Sequence, residues 1–390
     1  MAELLKSTPQ TFFSPNKIQF GPGAVDGVGG EVKTLGGKKV LIVTDPGVVK
    51  ADLLNPVTKS LESQNIPYSV FAKVEPEPPA LAVDEGAKQL KAEGCDCVIG
   101  VGGGSSLDVA KGVSLLGGNE GSILDYTGFD LVKKPGVPKI LIPTTAGTGS
   151  EVTRVLVITD QNNNTKKAVY TIHCLADVAL VDPLMTATMP PHVTADSGVD
   201  ALVHAVETYV ARSATAFSDV LAERAIQLIG QYLPMAWAKG SNMEARYHMS
   251  LGSLIAGMAF ASGGLGACHA LAYPLGTEYH MPHGRSNAVM LPHIMKYNLC
   301  GNPQKFARIA ELLGQDILGL HVREAANLAV EAVKDLLDTI QLSYRLRDYS
   351  IPHDDLPKLV RGGMAQTRLF VPNPRDLTED DIAGIYDEAY

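Results

Sequence analysis

Between residues 200 and 283, one aspartate and three histidines stand at spacings that a divalent metal ion could use. In Asp200-Ala201-Leu202-Val203-His204, a carboxylate and an imidazole are four residues apart, which on a helix puts them on one face, one turn apart. Further on, Gly266-Ala267-Cys268-His269 and Met281-Pro282-His283-Gly284 each carry a histidine near a glycine, the residue that lets backbone come close to a ligand. Any one of these histidines alone reads equally as a core or surface residue. Together, four nitrogen and oxygen donors from three segments suit Zn2+ or Fe2+.

Two other stretches read as phosphate or ribose loops. Gly102-Gly103-Gly104-Ser105-Ser106-Leu107-Asp108 follows an apolar run directly. Its glycines let backbone lie against a pyrophosphate, and Ser105 and Ser106 open a helix whose free N–H groups favour an anion. It is not the G-x-G-x-x-G fingerprint, and a glycine run alone is also an ordinary tight turn. The second stretch, Thr144-Thr145-Ala146-Gly147-Thr148-Gly149-Ser150-Glu151, is rich in hydroxyls that could hold phosphate or ribose oxygens. Asp45 ends an earlier apolar run, and Lys166 and Lys167 follow an Asn-rich turn at 162–164 and could reach a nucleotide.

These loops need elements to hold them. Runs at 39–44, 68–71, 97–101 and 139–143 read as strands, and stretches at about 52–64 and 80–93 as helices. The near-continuous apolar character of the strands suits parallel pairing buried on both faces, so the N-terminal half is expected to be a doubly wound parallel sheet. Residues 12–23 read as a short strand or hairpin, and 155–159 and 178–181 as strands around a hairpin loop at 162–164. From about 193 the period becomes helical, over 194–211, 217–239, 243–262, 267–277, 285–300, 303–314, 320–340 and 379–388. The expected division is an α/β domain over 1–183 and an all-α domain over 184–390, with the site in the cleft between them. Asp196, Asp200, His204 and Glu207 form a polar stripe on the first of these helices, opposite Leu202, Val206 and Tyr209, and such a stripe is often merely solvated.

Composition narrows the function. The chain has 390 residues, 45% hydrophobic and 19% charged, with a formal charge of -9. That charge argues against a nucleic-acid or anionic-membrane partner. The absence of an apolar run of about 18 residues argues against a membrane span. Residues 1–20 lack the pattern of a signal peptide. Five scattered cysteines do not make a disulfide framework, which fits a reducing cytoplasm, and Cys95-Asp96-Cys97 reads as part of a buried strand.

The glycine loop, Pro143 through Glu151, Asp200 through His204 and the block from His269 to His283 together resemble the iron-containing (group III) alcohol dehydrogenases, and the resemblance runs from Phe20-Gly21-Pro22-Gly23 to Asn373-Pro374-Arg375. It implies a metal, Fe2+ or Zn2+, held by Asp200, His204, His269 and His283. It also implies NAD on Gly102, Gly103, Gly104, Ser105 and Ser106, with Asp45 at the adenosine ribose and Thr144, Thr145 and Thr148 in a second cofactor loop. A lysine near the nicotinamide ribose is implied as well: spacing favours Lys166, local context Lys167. Where many members carry a second histidine four residues after the first, this chain has Tyr273, and His280 is the nearby titrating group. The implied reaction is hydride transfer between nicotinamide and a small alcohol or its carbonyl partner, in a homodimer or larger assembly. Alternatives on this scaffold are a glycerol-type polyol dehydrogenase, a hydroxyacid dehydrogenase and a dehydroquinate-synthase-like lyase. The lyase needs a basic cluster, for which the 200–285 region offers Arg212, Arg224, Lys239, Arg246 and Arg285. A binding protein with a decayed site is disfavoured by the intact donor set.

Overall fold

The computed structural model describes residues 9–163 and 165–390. Residues 1–8 of the N-terminal stretch and Asn164 of the Asn-rich turn lie outside the described residues. The strands are β1 (Lys17–Phe20), β2 (Val40–Val43), β3 (Tyr68–Phe71), β4 (Cys97–Gly102), β5 (Gly128–Phe129), β6 (Lys139–Pro143), β7 (Val155–Asp160), β8 (Thr165–Tyr170) and β9 (Val178–Val181). Among them run helices α1 (Val28–Thr34), α2 (Pro46–Lys50), α3 (Asn55–Ser63), α4 (Ala80–Ala92) and α5 (Gly104–Gly118). Six strands form one parallel sheet in the order β1-β9-β6-β4-β2-β3. Every residue of β2, β4, β6 and β9 is buried, as a strand covered by helices on both faces requires.

The strand order creates the crevice. From β2 the chain moves outward to β3, then returns to lay β4 along the other side of β2. At such a reversal the loops leaving the carboxyl ends of the two strands diverge and open a gap for a ligand. The loops that leave here are those of Asp45 and of the triple glycine.

Of the strand and hairpin readings of residues 12–23, the short strand holds: β1 is an edge strand, parallel to β9. One expectation about pairing is corrected. The partner of β7 across the Asn-rich turn is β8, antiparallel, and Val178–Val181 belongs to the main sheet. Physically, β9 is apolar throughout and suits a doubly covered sheet, whereas β8 alternates, turning Lys166 and Tyr170 toward a cavity and leaving Lys167 on the other face. Cys97 opens β4 while Cys95 sits just before it; all five cysteines are free, four of them buried.

The C-terminal half is helical: α6 (Pro191–Val210), α7 (Ala216–Ala238), α8 (Met243–Gly263), α9 (Ala267–Tyr279), α10 (His283–Asn298), α11 (Pro303–Leu312), α12 (Val322–Thr339), α13 (Leu356–Met364), α14 (Thr367–Phe370) and α15 (Glu379–Ala389). Helices α13 and α14 fall outside the expected helical stretches: one carries Pro357, Gly362 and Gly363, and the other has a single turn. Helix α6 packs against α7, α8 and α10. Its polar stripe is therefore not solvated: Asp196, Asp200, His204 and Glu207 are all buried. Among the described residues no single helix is long and apolar enough to cross a membrane.

The hydroxyl-rich loop after β6 meets α8 through two glycines. Gly149 has φ of 58°, a left-handed conformation that favours glycine, and a Cβ on Gly257 would fall 2.8 Å from its Cα. Gly257→Ala must push this loop off the helix. The expected loss is about 1–3 kcal/mol in urea unfolding, and wild-type stability would show that the contact opens freely.

Candidate active site

Three helices deliver the donors. Asp200 and His204 project from the middle of α6, His269 from the first turn of α9, and His283 is the first residue of α10. The Nε2 atoms of His283, His269 and His204 lie 3.5, 3.8 and 3.9 Å from one oxygen, Asp200 Oδ1. Donors around a tetrahedral ion with bonds of about 2.1 Å stand about 3.4 Å apart, so the set fits a first-row divalent ion. Asp200, His269 and His283 have donor atoms all within 4.8 Å of one another. His204 is set at the edge, its ring stacked between Phe260 (4.5 Å between centroids) and His269 (4.8 Å). Its buried Nδ1 has no hydrogen-bond partner among the described residues. The side chain of His283 is 36% exposed, against 1–6% for the other three, so the cluster opens to the cleft on that side.

The flanking glycines have a different purpose from the one expected. A Cβ on Gly284 would fall 2.0 Å from the carbonyl oxygen of Asp196, and one on Gly266 would fall 3.0 Å from Glu207 Oε1. Both glycines let α9 and α10 approach α6, and so set the histidines over Asp200.

Two residues given no role from sequence complete the cluster. His269 Nδ1 is 2.6 Å from Glu207 Oε2, while the other Glu207 oxygen accepts from the Cys268 backbone N–H at 2.5 Å. A carboxylate there accepts a hydrogen bond from Nδ1–H, which holds the proton on that nitrogen and leaves the Nε2 lone pair on the side of Asp200. The Asn287 amide, one helical turn after His283, donates to Asp200 Oδ1 at 2.7 Å and lies 3.3 Å from the Nε2 atoms of both His269 and His283. The spacing of Glu207 from His204 and of Asn287 from His283 was the available signal, since both pairs share a helix face.

Electrostatics follow the packing. Burial works against the Asp200 carboxylate, but the imidazoles and Asn287 outweigh it and hold its pKa below the usual range. Burial pushes His204 down to about 4 and lowers His283, keeping those lone pairs available near neutral pH. At His269 burial is overcome by Glu207 and Asp200, and its pKa rises.

The opposite wall carries the loops. Asp45 caps α2 by accepting from Val48 N–H at 3.0 Å, and its other oxygen accepts from Ser106 Oγ at 2.9 Å. Gly102 has φ of 150°, and a Cβ there would meet Ser106 at 2.6 Å and Asp45 at 3.0 Å. Ser106 is buried with its hydroxyl bonded to Asp45, whereas Gly104, Ser105 and Thr148 line the cavity. Thr144 is buried, its N–H bonded to Gly102, and Thr145 stands beside Gly103 without lining the cavity. Lys111, fully buried, ties α5 to this wall through Asp108, Ser150 and Thr153.

Between the walls lies a cavity of about 430 Å³. Lys166 faces it, bonded to Thr159 at 3.1 Å and paired with Glu77 at 3.2 Å. Lys167 does not line it. Tyr273 does, its ring stacked on His283 at 5.8 Å and its hydroxyl pushed up to about 12 by burial. His280 is exposed at the left-handed C-cap of α9 and outside the lining, which removes it from the expected pair with Tyr273. None of Arg212, Arg224, Lys239, Arg246 and Arg285 lines the cavity; the arginines that do are Arg154 and Arg368.

Glu207→Gln keeps the shape but removes the charge that orients His269. Titration of the purified protein with Co2+ or Zn2+ is expected to give roughly 10–100-fold weaker binding than wild type. Unchanged affinity would remove Glu207 from that role.

Comparison with known proteins agrees with this arrangement. Residues 15–183 match the family model of iron-containing alcohol dehydrogenase, and residues 194–390 that of the Fe-containing alcohol dehydrogenase family, C-terminal. The chain is 40% identical over 381 residues to 1,3-propanediol dehydrogenase of Klebsiella pneumoniae, covering 97% of this chain and 98% of that one. It is 39% identical over 378 residues to the NAD-dependent methanol dehydrogenase of Bacillus methanolicus, covering 97% and 99%. A crystal structure of 1,3-propanediol oxidoreductase superposes with a TM-score of 0.96 at 39% identity, covering 98% of this chain and all of the other. With both halves matched and the donor cluster facing the glycine loop across one cleft, the chain belongs to the iron-containing alcohol dehydrogenase family and is an oxidoreductase of that kind.

Proposed function

We propose that the protein is an NAD(H)-dependent, divalent-metal alcohol dehydrogenase and aldehyde reductase that moves hydride between nicotinamide and a small primary or secondary alcohol or its carbonyl partner. The observation that carries this reading is the convergence of Asp200, His269 and His283 on one side of a cavity whose other side is the glycine loop at the strand-order reversal. Asp200, His204, His269 and His283 would hold the ion, iron by family and zinc by intrinsic affinity. When bound, the ion supplies Lewis acidity at the substrate oxygen and the dinucleotide supplies the hydride acceptor or donor.

The chain's own residues do the rest. Glu207 keeps His269 in the tautomer that presents Nε2. The N–H groups at the start of α5, from Gly103 to Ser105, would receive the pyrophosphate, and Asp45 the adenosine ribose hydroxyls. Lys166, facing the cavity, is the lysine for the nicotinamide ribose. Val155, Val157, Phe260, Leu265 and Leu369 line the cavity with apolar surface and exclude water around the reacting carbon. We further place the division into functional units at 183/184, and the enzyme as a homodimer or larger assembly in the cytoplasm.

The test is net NADH formation from a panel of alcohols by protein loaded anaerobically with Fe2+ or Zn2+. A lyase that uses NAD transiently would form none. Asp45→Gly is expected to raise the NADP/NAD ratio of kcat/KM, because a carboxylate repels a 2′-phosphate; an unchanged ratio would take Asp45 off the ribose.

Burial pushes the Tyr273 hydroxyl up to about 12, so it would donate a hydrogen bond to substrate without titrating near neutral pH. Tyr273→Phe is expected to lower kcat/KM by about tenfold or less, the worth of roughly 0.5–1.5 kcal/mol, with the same pH profile over about pH 6–10. Loss of a pH-dependent limb would make Tyr273 a proton-transfer residue.

A further inference from the structure

In the cavity, not every charged side chain has an opposite partner. Three carboxylates line it, and each is already engaged. Glu77 pairs with Lys166 at 3.2 Å. Asp108 pairs with Lys111 at 3.2 Å and also accepts from Ser150 Oγ and Val157 N–H. Asp200 faces the histidines. Two guanidinium groups, Arg154 and Arg368, line the same space, and neither has a carboxylate partner among the described residues. Their neighbours are aromatic. Arg154 lies over the Phe13 ring at 4.5 Å, and Arg368 donates to the Tyr170 hydroxyl at 2.7 Å.

Those contacts leave the cations poised for a ligand. A guanidinium stacked on a ring keeps its in-plane N–H donors free, and a single bond to Tyr170 uses one of the five donors of Arg368. The two groups are also held on one framework. The Arg154 carbonyl accepts from Thr171 N–H at 3.0 Å, next to Tyr170, whose ring stacks on Phe129 at 4.4 Å. Helix α14, which carries Arg368, packs on α9, the helix of His269 and Tyr273. Arg368 stands near enough to Tyr273 of α9 for its charge to act on that hydroxyl.

We propose that Arg154 and Arg368 form an anion-binding end of the substrate cavity, and that the preferred substrate is a short aldehyde or alcohol with a carboxylate or sulfonate distal to the reacting carbon. The inference rests on the dehydrogenase reading and names its substrate class. Two donors in fork geometry match a planar carboxylate or a sulfonate, and an apolar wall of Val155, Val157 and Leu369 would accommodate the carbons between the two ends.

The test compares succinic semialdehyde with butanal, equal in chain length and different in charge, using metal-loaded wild type, Arg154→Met, Arg368→Met and Arg368→Lys with NADH. Wild type is expected to favour the carboxylated aldehyde, and each methionine variant to lower the kcat/KM ratio of the two by roughly tenfold or more, the worth of a charged hydrogen bond. The loss should fall mainly in KM, and Arg368→Lys should recover part of the ratio. A wild-type preference for butanal, equal losses for both aldehydes, or a rise confined to the KM for NADH would overturn the proposal. If neither aldehyde turns over, the dehydrogenase reading fails, and calorimetry with succinate then judges the arginines separately. Binding that Arg368→Met weakens by a similar factor supports the anion site, and no binding to wild type overturns it.

Discussion

A carboxylate with 3% of its surface exposed, in the middle of a helix packed on several sides, is the constraint on which the C-terminal half depends. Left alone, Asp200 would lose several kcal/mol of hydration without compensation. The surrounding helices supply one amide donor, Asn287, at 2.7 Å and bring three imidazole nitrogens within 4 Å, where a divalent ion would supply the rest. The same convergence is what suits a metal, because imidazole nitrogens and a carboxylate are the donors a divalent ion prefers. Gly266 and Gly284 are part of this arrangement, since side chains there would hold α9 and α10 away from α6.

The orientation of each imidazole is settled one layer further out. Glu207 receives Nδ1 of His269 and the N–H of Cys268 together, so the ring and the first turn of α9 are positioned by one carboxylate. His204 is instead positioned by stacking between Phe260 and His269. A hydrogen bond fixes the tautomer as well as the plane, while stacking fixes the plane alone. The imidazoles are thus held with unequal rigidity, and His283, the most exposed of them, borders the cavity.

On the cofactor side, position is set by topology and refined by close contacts. The reversal of strand order brings Asp45 and the glycine loop side by side at the ends of β2 and β4, and the Ser106 hydroxyl joins them. Lys111 does the corresponding work deeper in, joining α5 to the loop after β6 through Asp108, Ser150 and Thr153. A lysine with no exposed surface is tolerable because each of its donors is occupied.

Much of this protein was readable in one dimension. The apolar runs of β2, β4 and β6, the helical periods of α6 through α12, the triple glycine and the four donors all depend on local pattern, which periodicity and spacing report directly. Pairing partners were less accessible: β8, with Lys166 and Lys167, lacks the apolar character of a buried strand, and β9 looked like its equal until the main sheet claimed it. Tertiary structure alone decided which side chains share the cleft. Arg154 and Arg368 are 214 positions apart, and the five basic residues between 200 and 285 do not line the cavity. It likewise drew Ser106 to Asp45 and Glu207 to His269 and left His280 at the surface, because such contacts join residues whose separation along the chain carries no periodic signal.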